Sequence, residues 1–154
     1  MDASVASAAG QTLHPSSFRS REFLVEVLKI GHRIVMTAAL AGEWDKHQSL
    51  FALRWRASMR SQAKIVDIVS SENAVVRSQV IMSPAVMKDL HLIEAALATD
   101  KLVVSLDDRA RGELRVEATK EVTWVNAVAE GGHVIYWLRA GAKPAKRWKL
   151  GYYS

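Results

Sequence analysis

The chain has 154 residues and no cysteine, and its 21 lysines and arginines against 16 aspartates and glutamates give a formal charge of +5. That length makes one domain, able to bury roughly two-thirds of its unfolded surface without staples, and the lack of cysteine excludes disulfides, thiolate zinc sites and cysteine nucleophiles. Apolar runs such as Ile34-Val35-Met36 and Ala95-Ala96-Leu97-Ala98 are too short to span a bilayer, so no membrane partner is expected.

The first ten residues are small, mildly apolar and carry an acid where an export signal carries a base, which with the missing cysteines reads as a cytoplasmic chain. Residues 2–8 read as a short strand, followed by a loop holding Gly10, His14 and Pro15 and a cap at Ser16 or Ser17. Phe23, Leu24, Val27 and Leu28 recur at helical spacing between Phe18 and Lys29, and Gly31 ends that helix. Arg33 to Met36 is a short buried strand, Thr37 caps a helix through Trp44, and a third helix runs from Ser49 to Ala63. Lys64 to Ile68 reads as extended and 71–82 as helical. Ser83-Pro84 opens a further helix, on which Val86, Leu90, Ile93 and Leu97 form one apolar stripe.

Lys101 to Ser105 is the strongest strand, followed by a helix from Asp107 to Val116, a strand over Val122 to Val125 and a helix from Gly132 to Ala140. Residues 1–141 therefore read as one domain and 142–154 as a basic tail. The alternation predicts an α/β fold with three α/β/α layers and a mostly parallel central sheet. In such sheets the site lies beyond the carboxyl ends of the strands.

Asp2, Glu43, Asp89 and Asp107 fall at segments that this order brings to that edge. Hard divalent cations such as magnesium and manganese take carboxylate oxygens, and phosphodiester hydrolysis needs such an ion to activate water and neutralise phosphate charge. Taken one at a time, an acid is more often a solvated surface residue. Asp107 also reads as a helix N-cap, a role compatible with metal binding. Asp108 and Asp45 are the substitutes if the register shifts, and Glu94 reads as a solvated helix face.

The local contexts carry more. Asp2-Ala3-Ser4-Val5 resembles the opening of PIN domains, an Asp ending the first strand before Ser, Thr or Asn. Asp89-Leu90-His91-Leu92-Ile93-Glu94-Ala95-Ala96 is similar to that family's acid-led helix. Val103-Val104-Ser105-Leu106-Asp107-Asp108 is similar to its following strand, and Glu43 in Ala41-Gly42-Glu43-Trp44 takes the place of its second acid. The order of these segments matches from residue 2 to about 126. The resemblance implies a magnesium- or manganese-dependent nuclease, most often an endoribonuclease, and many members are toxins neutralised by an antitoxin. It assigns metal binding to Asp2, Asp89 and Asp107, metal binding or water orientation to Glu43, and support of the carboxylates to Ser4 and Ser105. One departure stands out: the family's first acid follows several apolar residues of a central strand, whereas Asp2 follows only Met1. Either the chain is a shortened or weakened member or its start lies upstream.

Arg56, Arg60 and Lys64 recur every four residues beside an apolar stripe of Phe51, Trp55 and Met59. That is a solvated face next to a packed one, or a surface that tracks RNA phosphates. The tail from Lys143 to Lys149 interleaves bases with Trp148, which suits single-stranded nucleic acid as well as it suits a frayed end. His47 and His91 lie near the acids in order but have no ligand spacing. Trp124 and Trp137 read as core, whereas Trp44, Trp55 and Trp148 are candidates for a homodimer or antitoxin interface. The alternative to an enzyme is a PIN-like module that binds RNA or a protein without cutting.

Overall fold

A computed structural model describes residues 1–69 and 71–152. Its elements run α1 (Ala3–Ala8), α2 (Pro15–Ile30), β1 (Ile34–Met36), α3 (Ala38–His47), α4 (Leu50–Ser61), β2 (Ile65–Asp67), α5 (Ala74–Gln79), α6 (Pro84–Leu97), β3 (Leu102–Val104), α7 (Asp108–Glu113), β4 (Thr123–Val125) and α8 (Gly132–Arg139). Two 3-10 turns cover Glu117–Thr119 and Lys146–Trp148.

The fold is mixed α/β. Its strands form two parallel pairs, β1 on β2 and β3 on β4, in register Ile34 to Ile65 and Leu102 to Thr123. Parallel partners need a crossover, here α3 and α4 for the first pair and α7 for the second. Short polar side chains start α3, α4 and α6. Thr37 accepts from Leu40 N–H at 3.2 Å, Ser49 from Ala52 at 3.0 Å and Ser83 from Val86 at 3.2 Å. Gly31 ends α2 in the left-handed region at φ 90°, where a side chain would be strained.

Residues 3–8 form a helix and not the strand that their composition suggested. Ala3, Val5, Ala6 and Ala9 are buried, a set spaced for a helix and not for alternation, and alanine is the strongest helix former. Only Met1-Asp2 is extended along the sheet, with Asp2 N–H donating to Val104 C=O at 2.9 Å. At α2 the cap is the His14 ring, accepting from Ser16 N–H at 3.3 Å, with Pro15 at the first position, and neither Ser16 nor Ser17 serves. The helix at Asp107 is shorter than its sequence suggested, ending at Glu113.

The core holds Phe23, Leu24, Met59, Leu90, Ile93, Leu114 and Trp124. Trp44 and Trp55 stack at 5.8 Å, and Trp55 Nε1 donates to Leu24 C=O. With Trp148 also buried, the three tryptophans marked for an interface are spent inside one chain. Trp137 is half-buried, edge-on to Trp148 at 5.6 Å. The basic tail packs rather than trailing away: Leu150 is buried and its N–H bonds Val122 C=O at 2.9 Å. Among the described residues no helix is long and apolar enough to cross a membrane.

Candidate metal centre

The carboxyl ends of β3 and of the Met1-Asp2 segment meet the start of α6 around a cavity of about 330 Å³. Asp2, Asp89 and Asp107 all line it, together with Ser4, His47 and Lys88. Three of the four acids singled out in the sequence therefore converge from chain positions far apart.

Asp2 is held by hydroxyls. Ser4 Oγ donates to its Oδ2 at 2.6 Å and Ser105 Oγ to the same oxygen at 2.7 Å. Each hydroxyl in turn accepts a backbone N–H from the turn after β3, Leu106 on Ser4 at 3.0 Å and Asp107 on Ser105 at 3.1 Å. Two relays thus run from that turn to one carboxylate oxygen, which orients Asp2 and strengthens both donors. Asp107 uses Oδ1 to cap α7, accepting from Ala110 N–H at 2.9 Å. Its cap role and its place on the cavity coexist.

Asp89 carries the electrostatic mark of the site. Burial, then the neighbouring charges of Asp2 and Asp107, push its carboxyl up to about 6, and Lys88 offsets this only in part. Glu113, one helix away on α7, adds a further negative charge. A sequence reading missed Lys88 and Glu113; only the adjacency of Lys88 to Asp89 offered a signal.

Glu43 does not face this cavity. It lines a neighbouring one of about 440 Å³, and its carboxylate sits between Lys88 at 3.6 Å, His47 at 3.5 Å and Lys46 at 3.9 Å. Lys88 and His47 line the acidic cavity too, so Glu43 reaches the three aspartates through them. The substitutes are engaged elsewhere: Asp45 with Arg56 at 2.7 Å, and Asp108 with the Asn126 amide at 3.1 Å. Glu94 is buried and not solvated, because Arg77 pairs with it at 2.8 Å and Asn73 N–H also donates to it. His91 lines the cavity beside Glu43.

Arg56 and Arg60 lie on α4, away from the acidic cavity, whereas Lys64 falls beyond the end of that helix, after a left-handed turn at Ala63 (φ 56°), so the three do not form one helical stripe. Arg56 is bound to Asp45, with Gln48 as a second acceptor, and Arg60 to Asp67 at 2.5 Å. Two of the three charges are thus already met by carboxylates.

As a donor set, three carboxylates crowded into one half-buried pocket fit a hard divalent cation, whose charge would relieve the repulsion that Asp89 registers. Among the described residues no group of three or more acidic or histidine side chains is already arranged to hold a metal ion. Comparison with family models, with curated proteins and with solved structures found no match.

Proposed function

We propose that the chain is a divalent-metal-dependent nuclease, an endoribonuclease hydrolysing RNA phosphodiesters with magnesium or manganese, on a PIN-like three-layer α/β/α frame. The observation that carries the reading is the convergence of Asp2, Asp89 and Asp107 on one cavity, with the Asp89 carboxyl pushed up to about 6. Asp2, Asp89 and Asp107 would hold the ion, and Ser4 and Ser105 aim Asp2 through the two hydroxyl relays. When bound, the ion supplies an activated water and neutralises charge on the phosphate. Lys88 stands on the cavity wall, where its ammonium meets an incoming phosphate while offsetting Asp89. The formal charge of +5 favours a polyanionic substrate, and Lys64, which has no carboxylate partner among the described residues, is free to meet it.

The test is cleavage of a mixed RNA pool with manganese, with chelator, and by the Asp89→Asn and Asp107→Asn variants. Loss of cleavage in chelator and in both variants supports the reading, whereas cleavage that survives all three rejects the site. A second reading, a module that holds RNA or a protein partner without cutting, is favoured by Glu43, which stands apart from the three aspartates on a neighbouring cavity, beside Lys88. Metal-dependent RNA binding with no cleavage selects it.

A further inference from the structure

Both parallel pairs run in the same direction. The cavity beside Glu43 sets Ala38, just after β1, near Pro84 at the start of α6. The acidic cavity sets Asp107, just after β3, near Ala85 on the same turn of α6. At the other end Arg33, just before β1, shares a cavity wall with Asp100, just before β3. The carboxyl ends of the strands therefore look to one side of the molecule and the amino ends to the other.

The two sides differ in charge. The three aspartates gather on the first, whereas a base stands immediately before three of the strands on the second: Arg33 before β1, Lys64 before β2 and Lys101 before β3. The Lys64 ammonium lies over Gly31, 3.6 Å from where a Cβ on that glycine would stand. The chain after α8 adds Lys143, on the same cavity wall as Arg33, and then Lys146 and Arg147. That segment runs beside the amino end of β4, where Leu150 N–H bonds Val122 C=O at 2.9 Å. Among the described residues none of these six cations has a carboxylate within ion-pair reach. Glu121 feels Lys101 only at a distance, because Lys149 holds that carboxylate.

Helix ends account for part of this charge. α2, α4, α6 and α8 all finish on this side, and with about half a negative charge at each end they offset about two cations. Asp100 offsets one more, with its Oδ1 engaged by Leu102 N–H at 3.1 Å. About three positive charges stay unmatched on one exposed face.

We propose that this amino-end face is a second nucleic-acid surface, which holds single-stranded RNA by its phosphates on the side opposite the metal centre. β1 and β3 are three residues long, so at about 3.3 Å per residue the strands alone set the two sides about 10 Å apart. RNA seated there is anchored outside the acidic cavity. Tyr152, exposed with the Lys146 ammonium 5.7 Å from its ring, offers an aromatic surface to an unpaired base. The choice of RNA rests on the substrate of the nuclease reading, but the face itself requires neither metal nor cleavage.

The experiment measures binding of an oligouridylate of about twelve nucleotides in chelator, by fluorescence anisotropy between about 50 and 200 mM salt. It compares the full chain with an Arg33→Ala, Lys101→Asn, Lys143→Ala variant, asparagine being suited to the left-handed φ of 59° at Lys101. The expected result is at least tenfold weaker binding at the low-salt end and a salt slope smaller by about 2, from three lost phosphate contacts on a single strand. Manganese affinity stays unchanged in that variant, and an Arg33→Lys, Lys143→Arg variant keeps RNA binding within twofold. Tyr152→Ala weakens binding at least about fivefold with the slope unchanged. An unchanged slope in the triple variant overturns the proposal, as does equal loss in the charge-keeping variant. Unchanged affinity in Tyr152→Ala overturns the single-strand assignment. Phosphatidylserine vesicles that bind more tightly than the oligouridylate, and lose binding in the triple variant, overturn the choice of RNA. Binding as expected without cleavage in manganese overturns the nuclease reading alone, whereas cleavage with no slope change overturns this face alone.

Discussion

Ser105 Oγ donates to Asp2 Oδ2 at 2.7 Å, joining two residues 103 positions apart. The same hydroxyl accepts the Asp107 N–H at 3.1 Å, so one serine connects both of these acids. Ser4 makes the parallel connection through Leu106, at 3.0 Å. The acid at the chain's start is thereby aimed by the turn that ends β3.

Ser105→Ala removes one of two donors on a shared oxygen and leaves the Asp107 N–H without its acceptor. The expected loss is about 1 kcal/mol in a buried position, read by urea unfolding. The Ser4→Ala, Ser105→Ala double variant will lose more than the sum of the singles, because Asp2 then has neither donor. An additive result would mean that the two hydroxyls act independently.

Asp107→Asn separates the cap from the metal. Asparagine caps helices as well as aspartate does, so α7 and the overall stability should change by less than about 0.5 kcal/mol. Manganese affinity, read by titration calorimetry, should fall at least tenfold. A variant that unfolds, or that binds manganese unchanged, would place Asp107 in a structural role alone.

Asp89 makes stability depend on pH in a set direction. Its folded carboxyl is raised to about 6 from an ordinary 3.8, so the native state prefers the protonated form. The stability this confers is fully present below about 3.8 and is lost as pH rises through about 6. For a half-buried group, screened by solvent, the effect is on the order of 1 kcal/mol. Asp89→Asn should raise Tm at pH 7.5 and flatten the Tm profile between pH 4 and 6. Saturating manganese should flatten the same profile in the parent chain. An unchanged slope in the variant would move the titration to another group.

Glu94 behaves in the opposite sense. Burial pushes its carboxyl up, but Arg77 and the Asn73 N–H outweigh that and hold it below the usual range. Its contribution is therefore present at neutral pH and lost as pH falls through its lowered value. Glu94→Ala leaves Arg77 with only the exposed Glu72, at 3.7 Å, and should destabilise by about 2 kcal/mol, measured by denaturant unfolding at pH 7. A loss below about 1 kcal/mol would show that the pair does not fasten α5.

Lys64→Ala and Arg60→Ala distinguish a phosphate-tracking face from a solvated one. Arg60 is already bound to Asp67, so Lys64→Ala should reduce the salt slope of RNA binding by about 1 and Arg60→Ala by less. Equal, negligible effects would remove Arg60 and Lys64 from the RNA-binding surface.

Local chemistry was legible where one residue type does one job. Gly31, Thr37, Ser49, Ser83 and Asp107 each marked a helix boundary, because a left-handed turn or a free N–H has few solutions. The stripe Val86, Leu90 and Ile93 marked a buried face for the same reason. The sequence by itself therefore determined most helices and a mixed α/β fold with short parallel strands.

Tertiary packing decided the rest, through partners far away in the chain. Residues 3–8 became helical because their alanines pack against α3, a contact that composition does not announce. Glu94 became buried because Arg77, brought by α5, neutralises it. Trp44 and Trp55 turned inward because each found the other. Glu43 stands on a cavity apart from the aspartates, beside the Lys88 ammonium that α6 brings to 3.6 Å. Asp89 acquired its raised carboxyl only when folding set two other aspartates beside it, because charge repulsion depends on distance in space and not along the chain.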